Sequence, residues 1–407
     1  MIEHFGALRA PHNVLFGNGQ RKAVGEVAAS LGRRALICTD ERFASSEWMQ
    51  EILDCLRSAE VEVLVSTHTL PELPGHSITT CVDFAQAFKP EVVIGLGGGS
   101  CMDMAKLVSL VLTHGGPPSQ YYGELKVPGP ILPVIAITTT AGTGSEVTPV
   151  AVMADDGRDL KVGISSPHLI PHTAICDPEL TWSCPPQLTA LSGADALTHA
   201  IEAFTAVKHT PTPQLALQRV FVGKNDFSDV SALTAIRALA KYLPRAVRDG
   251  NDKEARSQVM FGSLCAGMAF GVAGTAAAHA IQYPVGALTH TAHGLGVASL
   301  LPYVMAYNAA HCMPEMAEIA RALGSEKTEM RALAEDGLHR LREFLADIGI
   351  PRTLAELGLT KERLDWVAEQ SMLSSRLINN NPRPLSTSDV RAIVADAYYG
   401  EIRPINA

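Results

Sequence analysis

Two textures divide this 407-residue sequence and predict an α/β N-terminal domain with a mainly parallel sheet, followed by an all-α C-terminal domain. Up to about residue 185, short runs rich in Val, Ile and Thr alternate with amphipathic stretches, the pattern of successive βαβ units. From about residue 187 onward the strand-like runs stop and Ala/Leu-rich helical periodicity takes over. The expected domains are therefore 1–186 and 187–407.

The strand candidates are "RALICTD", "VEVLVST", "EVVIGLGGGS" and "LPVIAITTT", each a short apolar run ending in turn or polar residues. Between them, "GQRKAVGEVAASLG", "SEWMQEILDCLRSAE" and "SITTCVDFAQAFK" carry helical spacing, so the strands are joined by crossovers and pair in parallel. In the second half, "VSALTAIRALAKYLPRAV", "EARSQVMFGSLCAGMAF" and "EMRALAEDGLHRLREFLADIG" predict long helices. The loop-like interruptions are "VKHTPTPQ", "VGKNDFSD" and "NNNPRPLSTSD", and there is no internal repeat or low-complexity tract.

With 47% apolar residues the chain has enough to fill two cores. Lys and Arg total 33 against 42 Asp and Glu, a net charge of −9 that argues against nucleic acid or an anionic membrane as partner and favours a small-molecule substrate. Cysteines 38, 55, 81, 101, 176, 184, 265 and 312 form no C-x2-C pair and are expected to be reduced, buried thiols. The N-terminal "MIEHFGALRAPHN" lacks signal-peptide architecture and no long uninterrupted apolar run occurs, so the expected location is the cytoplasm.

Three features of the first half suit a dinucleotide. In "EVVIGLGGGSCMDMAKLVSLVL", Gly97, Gly98 and Gly99 follow a strand and Ser100 opens a helix, where close backbone approach and free N–H groups favour a pyrophosphate. A tight strand-to-helix turn is the plainer reading, because Ser100 stands where the usual fingerprint has its last glycine. Asp40, ending "ALICTD", suits the adenosine ribose and disfavours a 2′-phosphate, hence NAD over NADP; it suits equally well the N-cap of the next helix. Thr138, Thr139, Thr140, Thr143 and Ser145 gather hydroxyls around two glycines, for a phosphate or carboxamide or simply as caps.

The second half carries ligand chemistry. Asp195 and His199 are four apart in "GADALTHAIEAFTA" and so share a helix face. In "HAIQYPVGALTHTAHG", His279 is expected to close an Ala-rich helix, and His293 to follow a Pro-containing turn. Three imidazoles and a carboxylate can hold Zn(II) or Fe(II) with a position left open for substrate. A buried histidine satisfied by hydrogen bonds is the commoner fate of any one of them.

Taken together, "PHNVLFGNGQ", "CTD", "GLGGGSCMDMAK", "TTAGTGSEVT", "KVGISSPHLIPHTAICDPEL", "GADALTHAIEA", the His279–His293 segment and "NNNPRPLSTSDVRAIVADAY" resemble the iron-containing (group III) alcohol dehydrogenases nearly from end to end. The resemblance implies a Rossmann-like, dehydroquinate synthase-like NAD-binding domain and a helical metal-binding domain, with Asp195, His199, His279 and His293 holding Fe(II), or sometimes Zn(II), in the cleft between them. By motif position it assigns Gly98, Gly99, Ser100 and Asp103 to the pyrophosphate loop and its helix. Thr139, Thr140 and Thr143 fall around the phosphates and nicotinamide, Lys161 and Leu180 near ribose and adenine, and Asp40 on the adenosine ribose. Lys161 equally fits a solvated strand-edge cation. A homo-oligomer, dimer or larger, is also implied.

Two departures stand out. Tyr283 occupies a position where many family members carry a second histidine, so it becomes a candidate for proton transfer or for packing; His290 becomes an alternative relay or an ordinary loop histidine. Glu72 stands where the family commonly has asparagine. The expected reaction is hydride transfer between a primary alcohol, or its aldehyde, and NAD(H), with the metal polarising the substrate oxygen. Polyol or hydroxy-acid dehydrogenases and transhydrogenases share the pattern, and a nucleotide-binding regulator with a structural metal is a different-class alternative. Loops near Val152, Phe270 and Tyr283 are expected to line an apolar pocket.

Overall fold

The strand runs of the first half form one six-stranded sheet in which every neighbouring pair is parallel. The computed structural model describes residues 4–155 and 161–405. The chain separates into a unit of Arg9–Ser183 with Leu217–Val220 and a unit of Met1–Leu8, Cys184–Ala216 and Phe221–Ala407.

In the first of these, the elements in chain order are β1 (Asn13–Phe16), α1 (Val24–Leu31), β2 (Arg34–Cys38), α2 (Glu41–Ala44), α3 (Glu47–Ser58), β3 (Glu62–Ser66), α4 (Gly75–Gln86), β4 (Val92–Gly97) and α5 (Gly99–His114). They continue as β5 (Gly123–Glu124), β6 (Val134–Thr138), β7 (Val150–Ala154), β8 (Lys161–Ser165) and β9 (Thr173–Cys176). The main sheet runs β1-β9-β6-β4-β2-β3. Alternate residues of each strand feed opposite faces. Ala35, Ile37, Val92, Ile94 and Leu96 pack with Val24, Met49, Ile52 and Leu56 of α1 and α3. Leu36, Cys38 and Val93 pack with Ile78 and Cys81 of α4 and with Met104 and Val108 of α5. Each such fully buried aliphatic side chain contributes about 1.5–3 kcal/mol.

Gly95 explains why α5 lies so close on β4. A Cβ there would stand 2.8 Å from Met102 Cα and 3.0 Å from Ala105 Cβ, so a side chain would lift the helix off the strand. A feature absent from the sequence reading is a second, three-stranded sheet, β5-β8-β7, in which β7 and β8 pair antiparallel. Strands this close in sequence lack the length for a parallel crossover and pair antiparallel instead.

The second unit is helical, with α6 (Pro186–Thr205), α7 (Leu215–Gln218), α8 (Asp226–Arg248), α9 (Lys253–Ala273), α10 (Ala277–Thr289), α11 (His293–Asn308), α12 (Met313–Ala322), α13 (Met330–Asp347), α14 (Leu364–Ser371), α15 (Ser375–Asn379) and α16 (Thr387–Tyr399). Two stretches expected as loops end in helix starts. Asn225 and Ser228 form a capping box for α8, and Ser386 and Asp389 one for α16, so the polar residues that suggested loops are N-caps.

The His279 segment also differs from expectation. Gly274, at φ 83°, ends α9, the chain turns by 102°, and α10 begins at Ala277, so His279 opens a helix rather than closing one. Pro284 lies inside α10 and not in a turn. Local sequence did not separate two Ala-rich helices broken by three residues.

All eight cysteines are free thiols; Cys55, Cys184 and Cys265 are only half-buried, against the expectation for all eight. Among the described residues no single helix is long and apolar enough to cross a membrane.

Candidate metal centre

Helix α6 presents Asp195, His199 and Glu202 at spacings of four and three, one face of one helix. All three are buried, in a helix whose other residues are mostly Ala, Leu, Ile and Thr. The first turn of α10 adds His279 and the first residue of α11 adds His293. The Nε2 atoms of His199, His279 and His293 lie 3.7, 3.8 and 4.0 Å from one oxygen of Asp195, Oδ1. Donors about 2.1 Å from a shared tetrahedral ion stand roughly 3.4 Å apart; the donor atoms of Asp195, His199 and His279 all lie within 4.8 Å of one another, near that spacing, and His293 meets this group at Asp195.

The chemistry of the donors fits a borderline divalent ion. His279 Nε2 is buried and accepts or donates no hydrogen bond among the described residues, the state expected of an atom whose partner is a metal. Its other nitrogen, Nδ1, is 2.6 Å from Glu202 Oε2. Glu202 also accepts from the backbone N–H groups of Ala276 at 2.9 Å and Ala278 at 2.7 Å.

A close helix crossing brings His293 to Asp195. A Cβ on Gly294 would lie 2.3 Å from the Leu191 carbonyl oxygen and 3.1 Å from Asp195 Cβ, so α11 reaches α6 only because residue 294 has no side chain. The ring of Phe270 stacks on His199 with centroids 4.2 Å apart, and His199 stacks on His279 at 4.8 Å. Tyr283 lies beside His293, ring centroids 6.1 Å apart and planes 24° apart. The side chains of Asp195, His199 and His279 are 4–7% exposed whereas that of His293 is 29% exposed, which makes the His293 side the open one.

His290 is the left-handed C-cap of α10, at φ 54°, with an exposed side chain. Val152, Phe270 and Tyr283 themselves lie in β7, α9 and α10.

In the sheet unit Asp40, the glycine turn and the Thr-rich loop lie at the carboxyl ends of the parallel strands β2, β4 and β6, whereas Lys161 opens β8 of the second sheet. Gly97, at φ 146°, ends β4, and Gly98 is the N-cap of α5 with no side chain to occupy the first-turn N–H groups of Gly99 and Ser100. The Thr-rich loop abuts this turn. Thr139 N–H donates to Gly97 O at 2.9 Å, and a Cβ on Gly99 would stand 2.7 Å from Thr143 Cγ2, while one on Gly98 would be 3.6 Å from Thr140 Cγ2.

Asp103 is committed within the protein: its Oδ1 accepts from Ser145 Oγ at 2.6 Å and its Oδ2 from Val152 N–H at 2.9 Å. Burial pushes its carboxyl upward, opposed by Lys106. Asp40 caps α2 by accepting from Phe43 N–H at 2.8 Å, at the end of β2. Leu180 is buried in the core beneath the sheet, and Lys161 forms an ion pair with Glu72, whose φ is 64°.

Two residues have roles that the sequence did not announce. Glu202 is one, though its place three after His199 was a usable signal. Lys106 is the other: fully buried, it donates to Ser145 Oγ at 2.9 Å and to the carbonyls of Thr148 and Val150 at 3.0 and 2.8 Å, tying α5 to the end of the Thr-rich loop. Burial pushes its ammonium down to about 8.

The family model for iron-containing alcohol dehydrogenase matches residues 11–178, and that for the Fe-containing alcohol dehydrogenase family, C-terminal, matches residues 189–398. Long-chain-alcohol dehydrogenase 1 of Geobacillus thermodenitrificans is 37% identical over 385 residues, covering 93% of each chain. The NAD-dependent methanol dehydrogenase of Bacillus methanolicus is 33% identical over 390 residues, 95% of this chain and 98% of that one. Among solved structures, a 1,3-propanediol oxidoreductase superposes with a TM-score of 0.90 at 31% identity, over 97% of this chain and all of the other.

Proposed function

The chain belongs to the iron-containing alcohol dehydrogenase family and is an NAD-linked alcohol oxidoreductase, and from that premise we propose that its substrate is a primary alcohol, or the corresponding aldehyde, with Asp195, His199, His279 and His293 holding the metal. The observation that carries this reading is the convergence of three imidazole Nε2 atoms within 3.7–4.0 Å of Asp195 Oδ1. When bound, the metal supplies Lewis acidity toward the substrate oxygen and NAD supplies the hydride chemistry.

The protein's own residues bind, orient and exclude water. The N–H groups of Gly99 and Ser100 receive the pyrophosphate, with Gly97 and Gly98 leaving room for it and Asp103 anchoring the helix from inside through Ser145 and Val152. Thr139, Thr140 and Thr143 border that turn, Asp40 at the end of β2 would meet the ribose, and Lys161 and the backbone at the buried Leu180 would belong to the adenosine end. Phe270 covers His199 and keeps water from the buried side of the centre. The apolar ring of Phe270 beside His199 favours an apolar substrate chain.

For the proton, Tyr283 is the stronger candidate because its ring lies against His293, on the open side; His290, an exposed helix cap, is the weaker. The relatives' names span long-chain alcohols and methanol, so chain length is part of the test. A homo-oligomer is part of the same proposal.

The test is NADH formation by chelated protein reloaded separately with Fe(II) and Zn(II), over primary alcohols of increasing length, diols and hydroxy acids. Turnover of primary alcohols restored by either metal is the expected result and identifies that metal. Preference for hydroxy acids would refute the apolar substrate, and turnover unaffected by chelation would refute the metal centre.

A further inference from the structure

Helix α10 begins without a cap of its own. Its N-cap residue, Ala276, offers no side-chain acceptor, yet the N–H groups of Ala276 and Ala278 and the Nδ1 of His279 all point at a single carboxylate from α6, that of Glu202. Glu202 is 2% exposed. The two backbone N–H groups donate one to each oxygen, and Oε2 also faces Nδ1; an ionised carboxylate, an acceptor only, can take a third donor there, whereas an amide would turn its NH2 toward one of the backbone groups. A negative charge at a helix N-terminus is favourable as well, which helps offset its desolvation.

The geometry has a consequence for His279. With Oε2 2.6 Å from Nδ1, the imidazole proton belongs on Nδ1, and the lone pair is left on Nε2, the atom 3.8 Å from Asp195 Oδ1. The ring is also held in rotation, because Glu202 is itself fixed by two backbone groups of the same helix turn that carries His279.

We propose that Glu202 is a positioning residue that sets the tautomer and the ring orientation of His279 before any metal arrives, an inference that rests on the metal-centre reading above. Glu202 couples two jobs in one side chain: it caps α10, and it leaves Nε2 of His279 without the ring proton, a ready-made ligand. The two jobs predict different readouts. A cap alone affects the stability of the metal-free protein; an orienting partner affects how tightly and in what ligand field a metal is held.

The experiment uses the whole 407-residue chain stripped of metal. With 15N-labelled histidine and mildly alkaline buffer, long-range 1H–15N correlation of the wild-type apo-protein should show His279 protonated on Nδ1 alone; an Nε2–H tautomer overturns the proposal without any variant. Zn(II) affinity by competition with a chelating dye, and the visible spectrum of the Co(II) form, are then compared for wild type, Glu202→Gln and Glu202→Asp. Glu202→Gln should weaken Zn(II) by about 10- to 100-fold and shift the Co(II) bands, with Glu202→Asp recovering part of the loss because it keeps the charge. A Glu202→Gln protein that melts earlier when metal-free but keeps wild-type Zn(II) affinity and Co(II) spectrum would reduce Glu202 to a helix cap. Failure of the wild type itself to take up Zn(II) or Co(II) would instead refute the metal centre on which the proposal rests.

Discussion

Glu146→Gln should stabilise the sheet-containing unit at pH 8 and have little effect near pH 5. Glu146 follows Ser145 in the short 3-10 turn Ser145–Val147, is 2% exposed, and its Oε2 has no hydrogen-bond partner among the described residues. Lys106 is the cation that faces it, and Cys176 the other titratable group whose pKa it influences. Lys106 spends its three donor positions on Ser145, Thr148 and Val150. Burial therefore dominates and pushes the Glu146 carboxyl up from 4.5 to about 7.

The sign follows from proton binding. Between pH 4.5 and 7 the folded protein holds a proton at Glu146 that the unfolded chain has lost, so folding loses stability as pH rises through this window. Above pH 7 the full penalty applies, about 3 kcal/mol from the size of the shift at about 1.4 kcal/mol per unit. Glutamine has nearly the shape of the protonated acid and carries no charge to bury. The gain of Glu146→Gln over wild type should thus grow from under about 1 kcal/mol at pH 5 to about 3 kcal/mol at pH 8, several degrees in Tm. Calorimetric melts of both proteins, metal-free, at half-unit steps over that range measure it. A gain that is constant with pH, or a loss at pH 8, would show that Glu146 is ionised at little cost and that the burial argument is wrong.

Two further outcomes follow for the helical unit. Gly294→Ala must push α11 away from Leu191 and Asp195, and should lower Zn(II) affinity at least tenfold while circular dichroism stays native; unchanged affinity would mean the crossing has slack. Tyr283→Phe keeps the ring beside His293 and removes only the hydroxyl, so kcat should fall by about tenfold or more with the alcohol KM little changed, and an unaltered pH profile of kcat would leave Tyr283 a packing residue.

The legible parts of the site were those in which chemistry repeats over a short span. Asp195 and His199 announce themselves by spacing, and the glycines at 97, 98 and 99 by their place between a strand and a helix. His279 and His293 became legible only through the order of motifs along the whole chain, and the helix containing His279 was still misplaced because Gly274 and the short break after it were hidden between two Ala-rich runs. Glu202 and Lys106 look like ordinary charged residues on amphipathic helices, and charged residues on such helices are usually solvated.

By itself the sequence determined the alternation of strands and helices in the first half and the helical character of the second, because apolar spacing of two or near 3.6 decides the face each element must bury; the second sheet and the start of α10 came only with the fold. It also supplied the proposed ligand types, three imidazoles and a carboxylate, a set that suits Fe(II) or Zn(II). Only the tertiary structure decided what the isolated charges do. Lys106 takes its three acceptors from residues 145 to 150, and Glu202 takes its three partners from residues 276 to 279. A buried charge is tolerated only where the fold delivers its partners, and those partners come from chain positions about 40 and 75 residues away, beyond any local pattern.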